Sequence, residues 1–314
     1  MRAVYLNPDA HIDTIRNYAE HFFNMPHEPK EIYDGITRKK RIIVVPANQE
    51  QIVHHMCINI LKPIFMRTVY AHTYASIPGR GAHKGKKTIE KWFRTDPKNT
   101  QYCFKMDIKK FFDNISHDLL KKKLRRLIKD NKFYNVLSTI IDATESGLPL
   151  GFYTSQWFAN WFLQDLDYYI KHQLKAKYYI RYMDDIVIFA DSSVELHNYR
   201  KAIAKYLETI GLQMKENWRI FKVTDRAPVD FMGFKFYRNR TTIRSHIFLK
   251  MTRKARKISK KENPTVYDSR QALTYLGYIK VSDCYRSYER NIKPYINIQQ
   301  LKHLVSKNDR RNSK

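Results

Sequence analysis

Apolar residues recur at helical spacing in four stretches of the chain and crowd into short runs between them. Gln51 to Met66 carries Ile52, Met56, Ile60 and Ile64 four residues apart, which predicts a helix with that face turned inward. His117 to Asp130 sets Leu120, Leu124, Leu127 and Ile128 on one side and Lys and Arg on the other. Thr154 or Ser155 can cap a long helix running to about Leu174, whose Phe158, Phe162, Leu166 and Tyr169 share a face. A further helix runs from about Val194 to Ile210, with Leu196, Tyr199, Ile203 and Leu207 inward and Gly211 placed to end it. Strand formers fill the segments between: Arg41 to Pro46, Tyr102 to Ile108, the two runs flanking Met183 to Asp185, and Asp230 to Tyr237. The order across the middle is β-α-β-β-α-β, an α+β layout of the split βαβ kind. After about Ser245 the pattern reads as basic helices, and the last stretch, LVSKNDRRNSK, reads as a disordered tail.

Charge changes this picture more than composition does. A chain of 314 residues with 43% hydrophobic positions can bury a real core, as one large domain or as two to three subdomains around a cleft. Its 58 Lys and Arg against 30 Asp and Glu leave a net +28, an excess best explained by a polyanionic partner, nucleic acid first. A basic membrane-surface protein and a ribosomal protein share that composition. Cys57, Cys103 and Cys284 are too scattered for a disulfide framework or a zinc ribbon and suit a reducing compartment. With no apolar leader and no run of membrane-spanning length, a soluble cytoplasmic protein without a membrane partner is expected.

The candidate chemistry lies where strands end. In YYIRYMDDIVIFAD (Tyr178 to Asp191) two strand-forming runs meet at Met-Asp-Asp, a hairpin with Asp184 and Asp185 at its tip. Adjacent like charges beside strands make sense if divalent cations sit there, although Asp is also common in turns. In FKMDIKKFFDNIS, Asp107 ends a strand and can face the same point. Three carboxylates around two Mg²⁺ would suit phosphoryl transfer. Asp113 is a rival third carboxylate, but its place before Ile115-Ser116 favours a cap for the next helix.

Four stretches in this order, FKMDIKKFFDNIS, LPLGFYTSQ, YMDD and FMGFKFY, resemble the successive palm motifs of reverse transcriptases, and the resemblance runs from about Arg38 to the C-terminus. It implies a right-hand fold of fingers, ferredoxin-like palm and helical thumb. The fingers would be residues 1–100 with an insertion at 119–149, the palm 101–118 and 150–240, and the thumb and tail 241–314. It implies RNA-directed DNA synthesis with two Mg²⁺ ions, Mn²⁺ being the substitute. Asp107, Asp184 and Asp185 match the catalytic carboxylates, with the Ile108 carbonyl as an extra metal ligand. Phe112 matches the aromatic gate against a ribose 2′-hydroxyl. Arg41, assisted by Lys39, matches the contact to the incoming triphosphate, and Lys215 the general acid for pyrophosphate. FMGFKFY, with Phe231 and Gly233, resembles the primer-grip hairpin. A basic thumb helix would bring Lys250, Arg253, Lys254, Arg256 and Lys257 to a phosphate backbone.

Leu150 and Gln156 in LGFYTSQ stand where most of the family has Gln before the Gly and Pro after the Ser. Together with Gly151, they would shape the nucleotide site. This pattern, PGRGAHKGKK with Arg80, His83 and Lys84, and YLGYIK resemble the error-prone enzymes of diversity-generating retroelements. The segment before Arg38 is short for that group, and Phe152-Tyr153 replaces its usual Asn-Leu. The expected partners are a template or noncoding RNA, RNA–DNA hybrid and deoxynucleoside triphosphates, with an accessory protein or a second copy besides, in a bacterial or phage-infected cell. An antiphage-defence reverse transcriptase with its own RNA is the second reading, and a noncatalytic RNA-binding scaffold the alternative of another class.

Overall fold

The computed structural model describes residues 9–33 and 40–312. They form two compact units, one of residues up to Gly81 with Lys98–Phe221, the other of Ala82–Pro97 with Lys222–Lys314. The chain runs through α1 (Asp9–Glu20), the hairpin β1 (Pro29–Tyr33) and β2 (Lys40–Val44), α2 (Asn48–Thr68) and α3 (Ala82–Thr95, in the second unit). It continues with β3 (Tyr102–Asp107), α4 (His117–Leu127), α5 (Asn131–Ile141), α6 (Tyr153–Phe162) and α7 (Gln164–Tyr168). Then come β4 (Tyr178–Tyr182), β5 (Asp185–Ala190), α8 (Ser193–Thr209) and β6 (Arg219–Lys222).

The strands of the first unit line up as β4-β5-β3-β6. Numbered within this motif the order is 2-3-1-4, the ferredoxin-like arrangement that β-α-β-β-α-β chains adopt. β3 and β5 are antiparallel from Tyr102↔Ala190 to Asp107↔Asp185, and β4 pairs the other side of β5 from Tyr178↔Phe189 to Tyr182↔Asp185. Ile186 to Ala190 are all buried, which is why β5 shows an unbroken apolar run rather than alternation. The outer side of β4 is occupied too. The Arg181 amide donates to His72 O (3.0 Å), and the Tyr74 amide donates to Arg181 O (3.0 Å).

Three expectations about helices change. In α2 the buried face is Val53, His54, Cys57, Ile58, Leu61 and Phe65, while Met56 and Ile60 are exposed. The two apolar stripes lie one residue, about 100°, apart, so periodicity does not choose between them. The stripe containing Phe65 goes inward and stacks on Trp161 at 4.9 Å. The long helix from Thr154 to Leu174 breaks into α6, α7 and a wide turn over Tyr169–Gln173, closed by Leu174 N–H donating to Tyr169 O. Its first turn has Phe152 at the cap position with no side-chain bond, and Thr154 and Ser155 are buried inside it. Finally, Ser116 rather than Asp113 caps α4, accepting from the Leu119 amide; Asp113 lies in a short 3-10 turn.

In the second unit β7 (Val229–Phe231), β8 (Phe234–Phe236) and β9 (Thr241–Ile243) form a meander. It precedes α9 (Ser245–Ser259), α10 (Val266–Lys280), α11 (Tyr285–Asn291) and α12 (Ile298–Asn312). Met232 (φ 52°) and Gly233 (φ 88°) make the two-residue β7–β8 turn. Residues 304–312 of the expected disordered tail are instead part of α12, anchored by the buried Leu301 and an Arg270–Asp309 ion pair of 2.5 Å.

The three cysteines are free and buried. No helix among the described residues is long and apolar enough to cross a membrane.

Candidate functional site

Three aspartates meet at one end of the β4-β5-β3-β6 sheet because the strand register puts them there. Asp107 is directly opposite Asp185 on β3 and β5, and Asp184 occupies the β4–β5 turn, its carbonyl accepting from the Ile108 amide at 3.3 Å. All three are half-buried. Burial, and then the Asp107 charge, raise the Asp184 carboxyl above its ordinary range; Lys215 and Arg41 act in the opposite direction. Lys215 Nζ lies 3.8 Å from Asp107 Oδ2, and its amide donates to the Asp107 carbonyl at 2.9 Å. Lys105 Nζ lies 3.6 Å from Asp185 Oδ2.

No group of three or more His, Cys, Asp and Glu side chains closes a metal cage among the described residues. The donor set suits an open site. Mg²⁺ is ordinarily held by one or two carboxylates with substrate phosphates and water completing the shell, and Asp107 and Asp184, with the Ile108 carbonyl, are of that kind.

Beside the acids, the nucleotide candidates sit on two joined segments. Arg41 is exposed on β2, and Val44, at the end of the same strand, donates its amide to the Leu150 carbonyl at 2.7 Å. Gly151 follows at φ 116°, where a Cβ would meet Val44 O at 2.1 Å. Gln156 accepts from the Ser76 hydroxyl. Gly151 and Gln156 line a cleft of about 730 Å³ with Arg80, Tyr153 and Tyr182, the residue that starts YMDD. Lys39 lies outside the described residues. Arg80 is partly committed, donating to Tyr70 O at 2.8 Å.

Phe112 is half-buried against Phe111, and its carbonyl accepts from the Leu148 amide at 2.8 Å. Gly147 (φ 68°) packs so closely there that a Cβ would lie 2.4 Å from Phe112 O. His117 and Thr144 both contact the Gly147 carbonyl, at 2.6 and 3.0 Å. The backbone under Phe112 is thus held by the loop from Thr144 to Leu148.

The nucleic-acid candidates of the second unit divide. His83 and Lys84 are exposed at the start of α3, where His83 meets the Phe234 and Tyr278 rings. On α9, Arg253, Arg256 and Lys257 are exposed and Lys250 is half-buried. Lys254 departs from the expected stripe, because its amine bonds Asp268 at 2.7 Å and lies over the Tyr267 ring. Phe231 is fully buried, so its ring is core, and the turn residues Met232 and Gly233 are buried as well.

Sequence reasoning missed Lys105, the Val44 stitch and the buried Arg181, whose guanidinium reaches the Met183 carbonyl at 3.0 Å. Lys105 is two residues before Asp107 on the same face of a strand, a signal that alternation could have yielded. The other two depend on tertiary pairing.

Comparison with known proteins agrees with this geometry. The family model described as reverse transcriptase (RNA-dependent DNA polymerase) matches residues 28–236. The chain is 28% identical over 144 residues to protein YkfC of Escherichia coli K12, covering 42% of this chain and 38% of YkfC. It is 24% identical over 237 residues to the retron Ec73 reverse transcriptase of Escherichia coli, covering 70% of this chain and 72% of that enzyme. Its fold is similar to that of a telomerase from Candida tropicalis, with TM-score 0.54 at 12% identity over 90% of this chain and 58% of the other. The right-hand polymerase fold and the family model lead to one conclusion: the chain belongs to the reverse transcriptase family.

Proposed function

We propose that the chain is an RNA-directed DNA polymerase that copies a dedicated structured RNA by metal-assisted nucleotidyl transfer. The observation that carries this reading is the register pairing of Asp107 with Asp185, with Asp184 in the adjoining turn. The family match over residues 28–236 and the similarity to a retron reverse transcriptase support it.

In the reaction the primer 3′-hydroxyl loses its proton and its oxygen bonds to the α-phosphorus of a deoxynucleoside triphosphate. The α–β phosphoanhydride bond breaks and pyrophosphate leaves. Two Mg²⁺ ions, when bound by Asp107, Asp184 and Asp185, supply the positive charge that lowers the barrier to both events. Arg41 binds the triphosphate tail, and its fork suits phosphate oxygens. Lys215 is the proton donor to the leaving pyrophosphate and, beforehand, offsets the Asp107 charge. Phe112 packs against the sugar and excludes a 2′-hydroxyl. Leu150, Gly151 and Gln156 bound the nascent pair, and the exposed cations of α3 and α9 hold the RNA–DNA hybrid.

Leu150 offers packing but no hydrogen bonds to the incoming nucleotide, which favours an error-prone enzyme of the diversity-generating type over a defence reverse transcriptase. Primer extension on an RNA template with Mg²⁺ tests the reading. Incorporation by the native chain and its loss in Asp184→Ala/Asp185→Ala are expected. A folded native chain that incorporates nothing with its copurifying RNA would favour an RNA-binding scaffold instead, and a double variant that retains incorporation would overturn the assignment of catalysis to these aspartates.

A further inference from the structure

The largest fully buried side chain among the described residues is a cation, Arg181, two residues before the Met183–Asp184 peptide bond. A guanidinium has five N–H donors, and here all five have acceptors. Nε donates to Asp167 Oδ1 at 2.7 Å, and Nη2 to Asp167 Oδ2 at 2.5 Å and to the Asn160 carbonyl at 3.2 Å. Nη1 donates to Asn160 Oδ1 at 3.1 Å and to the Met183 carbonyl at 3.0 Å. The acceptors are fixed in turn. The Tyr179 hydroxyl donates to Asp167 Oδ1 at 2.5 Å, and the Asn160 amide nitrogen to the Ala75 carbonyl at 2.8 Å.

An ion pair between β4 and α7 needs only the Nε and Nη2 side of this guanidinium. The Nη1 side is turned instead toward the β4–β5 turn. Met183 there has φ 57°, a left-handed conformation that a side-chain-bearing residue holds only when its surroundings enforce it. The carbonyl bonded by Arg181 belongs to the peptide plane from which Asp184 departs. Holding that oxygen fixes the plane, and the plane sets where the Asp184 carboxylate points.

We infer that Arg181 is a positioning residue for Asp184, with Asn160 and Asp167 as the frame that orients it. The inference rests on reading Asp184 as a metal-holding carboxylate. Lysine cannot take its place, because three donors on one flexible atom cannot span five acceptors in a plane.

The test uses the full chain bound to an RNA template with a 3′-deoxy primer and a deoxynucleoside triphosphate, so that nothing turns over. Mn²⁺ binding is read by paramagnetic resonance. Separately, the Mg²⁺ concentration for half-maximal extension of a normal primer and the thermal unfolding temperature are measured. Arg181→Lys is expected to weaken Mn²⁺ binding and raise the Mg²⁺ midpoint by roughly tenfold, the usual effect of losing a group that orients a ligand. Asn160→Ala leaves both Asp167 bonds in place and is expected to give a smaller shift of the same sign. A merely structural role would lower the unfolding temperature and the active fraction and leave both metal readouts unmoved, and that result in either folded variant overturns the inference. If Arg181→Lys does not fold, Asn160→Ala decides alone. Failure of the native chain to bind Mn²⁺ or extend any primer would instead refute the polymerase reading beneath it.

Discussion

The carbonyl of Val44 occupies the space that a side chain on residue 151 would need: a Cβ on Gly151 would come within 2.1 Å of it. The Val44 amide is also bonded to the Leu150 carbonyl, so neither backbone can retreat without breaking that bond. Gly151→Ala should therefore separate β2, with Arg41, from the Leu150 segment. Incorporation is expected to fall by roughly a hundredfold, the scale that a misplacement of about 1 Å produces. Single-turnover extension checks it, and the KM for the deoxynucleotide should rise with the loss in rate.

The contact between Gly147 and Phe112 makes a subtler expectation. Phe112→Ala should admit ribonucleotides, raising their incorporation relative to deoxynucleotides by about a hundredfold at most, the range open to a pocket that senses one hydroxyl. Gly147→Ala keeps the ring but collides with the Phe112 carbonyl at 2.4 Å. It should relax the same discrimination, and equal selectivity in both variants and the native chain would remove Phe112 from the site.

Sugar selection and base selection are separable. If Leu150 lies beside the nascent pair as proposed, Leu150→Gln introduces an amide there and should lower misincorporation opposite template adenine, read by sequencing the cDNA. An unchanged error spectrum would show that residue 150 does not set fidelity.

His54 is fully buried, and neither ring nitrogen has a hydrogen-bond partner among the described residues. Burial lowers its pKa from 6.5 to about 4, with Glu50 opposing and His27 and His55 adding to the fall. Its ring packs on Phe152 at 4.7 Å, directly after Gly151, while Glu50 bonds His27 and the Ala47 amide. A base with a depressed folded pKa leaves stability intact above pH 6.5 and erodes it as the pH falls from 6.5 toward 4. The full loss is on the order of 3 kcal/mol. His54→Leu should flatten the dependence of unfolding temperature on pH in that window; an unaltered slope would assign it to other groups.

In the second unit, Asp268 accepts from Lys254 and Lys261 and closes the capping box of α10 with Thr265. Its removal leaves two ammonium groups facing a buried gap. Asp268→Ala should cost roughly 3 kcal/mol by denaturant unfolding. Lys254→Ala should weaken RNA–DNA binding less than Arg253→Ala, because its charge is already neutralised.

Local patterns made the sheet and its acids legible. Strand-forming runs bracket Met183–Asp185, and a strand ends at Asp107, so a hairpin with acids at its tip followed from alternation and turn chemistry. The choice of inward face in α2 did not, because Ile52-Met56-Ile60-Ile64 and Val53-Cys57-Leu61-Phe65 are equally periodic and only the presence of Trp161 selects between them. The break after Phe162 was hidden for a similar reason: aromatic residues fit a helix interior whether or not it continues. Lys254 looked like any other exposed lysine until Asp268, fourteen residues on, was folded against it. The five bonds of Arg181 join residues 160, 167 and 183, a convergence that no window of sequence displays.

The pairing of residues 72 to 74 with Arg181 bears on how the chain behaves among copies of itself. An outermost strand with open amides and carbonyls is a template on which another chain can add, the usual start of edge-to-edge aggregation. In β4 that row is already engaged at Arg181, near the end of the strand, by His72 and Tyr74. The β4 edge of the sheet carrying the acids is thus engaged at the very residue that holds the turn, and a loop displaced from β4 would open that position to strand addition.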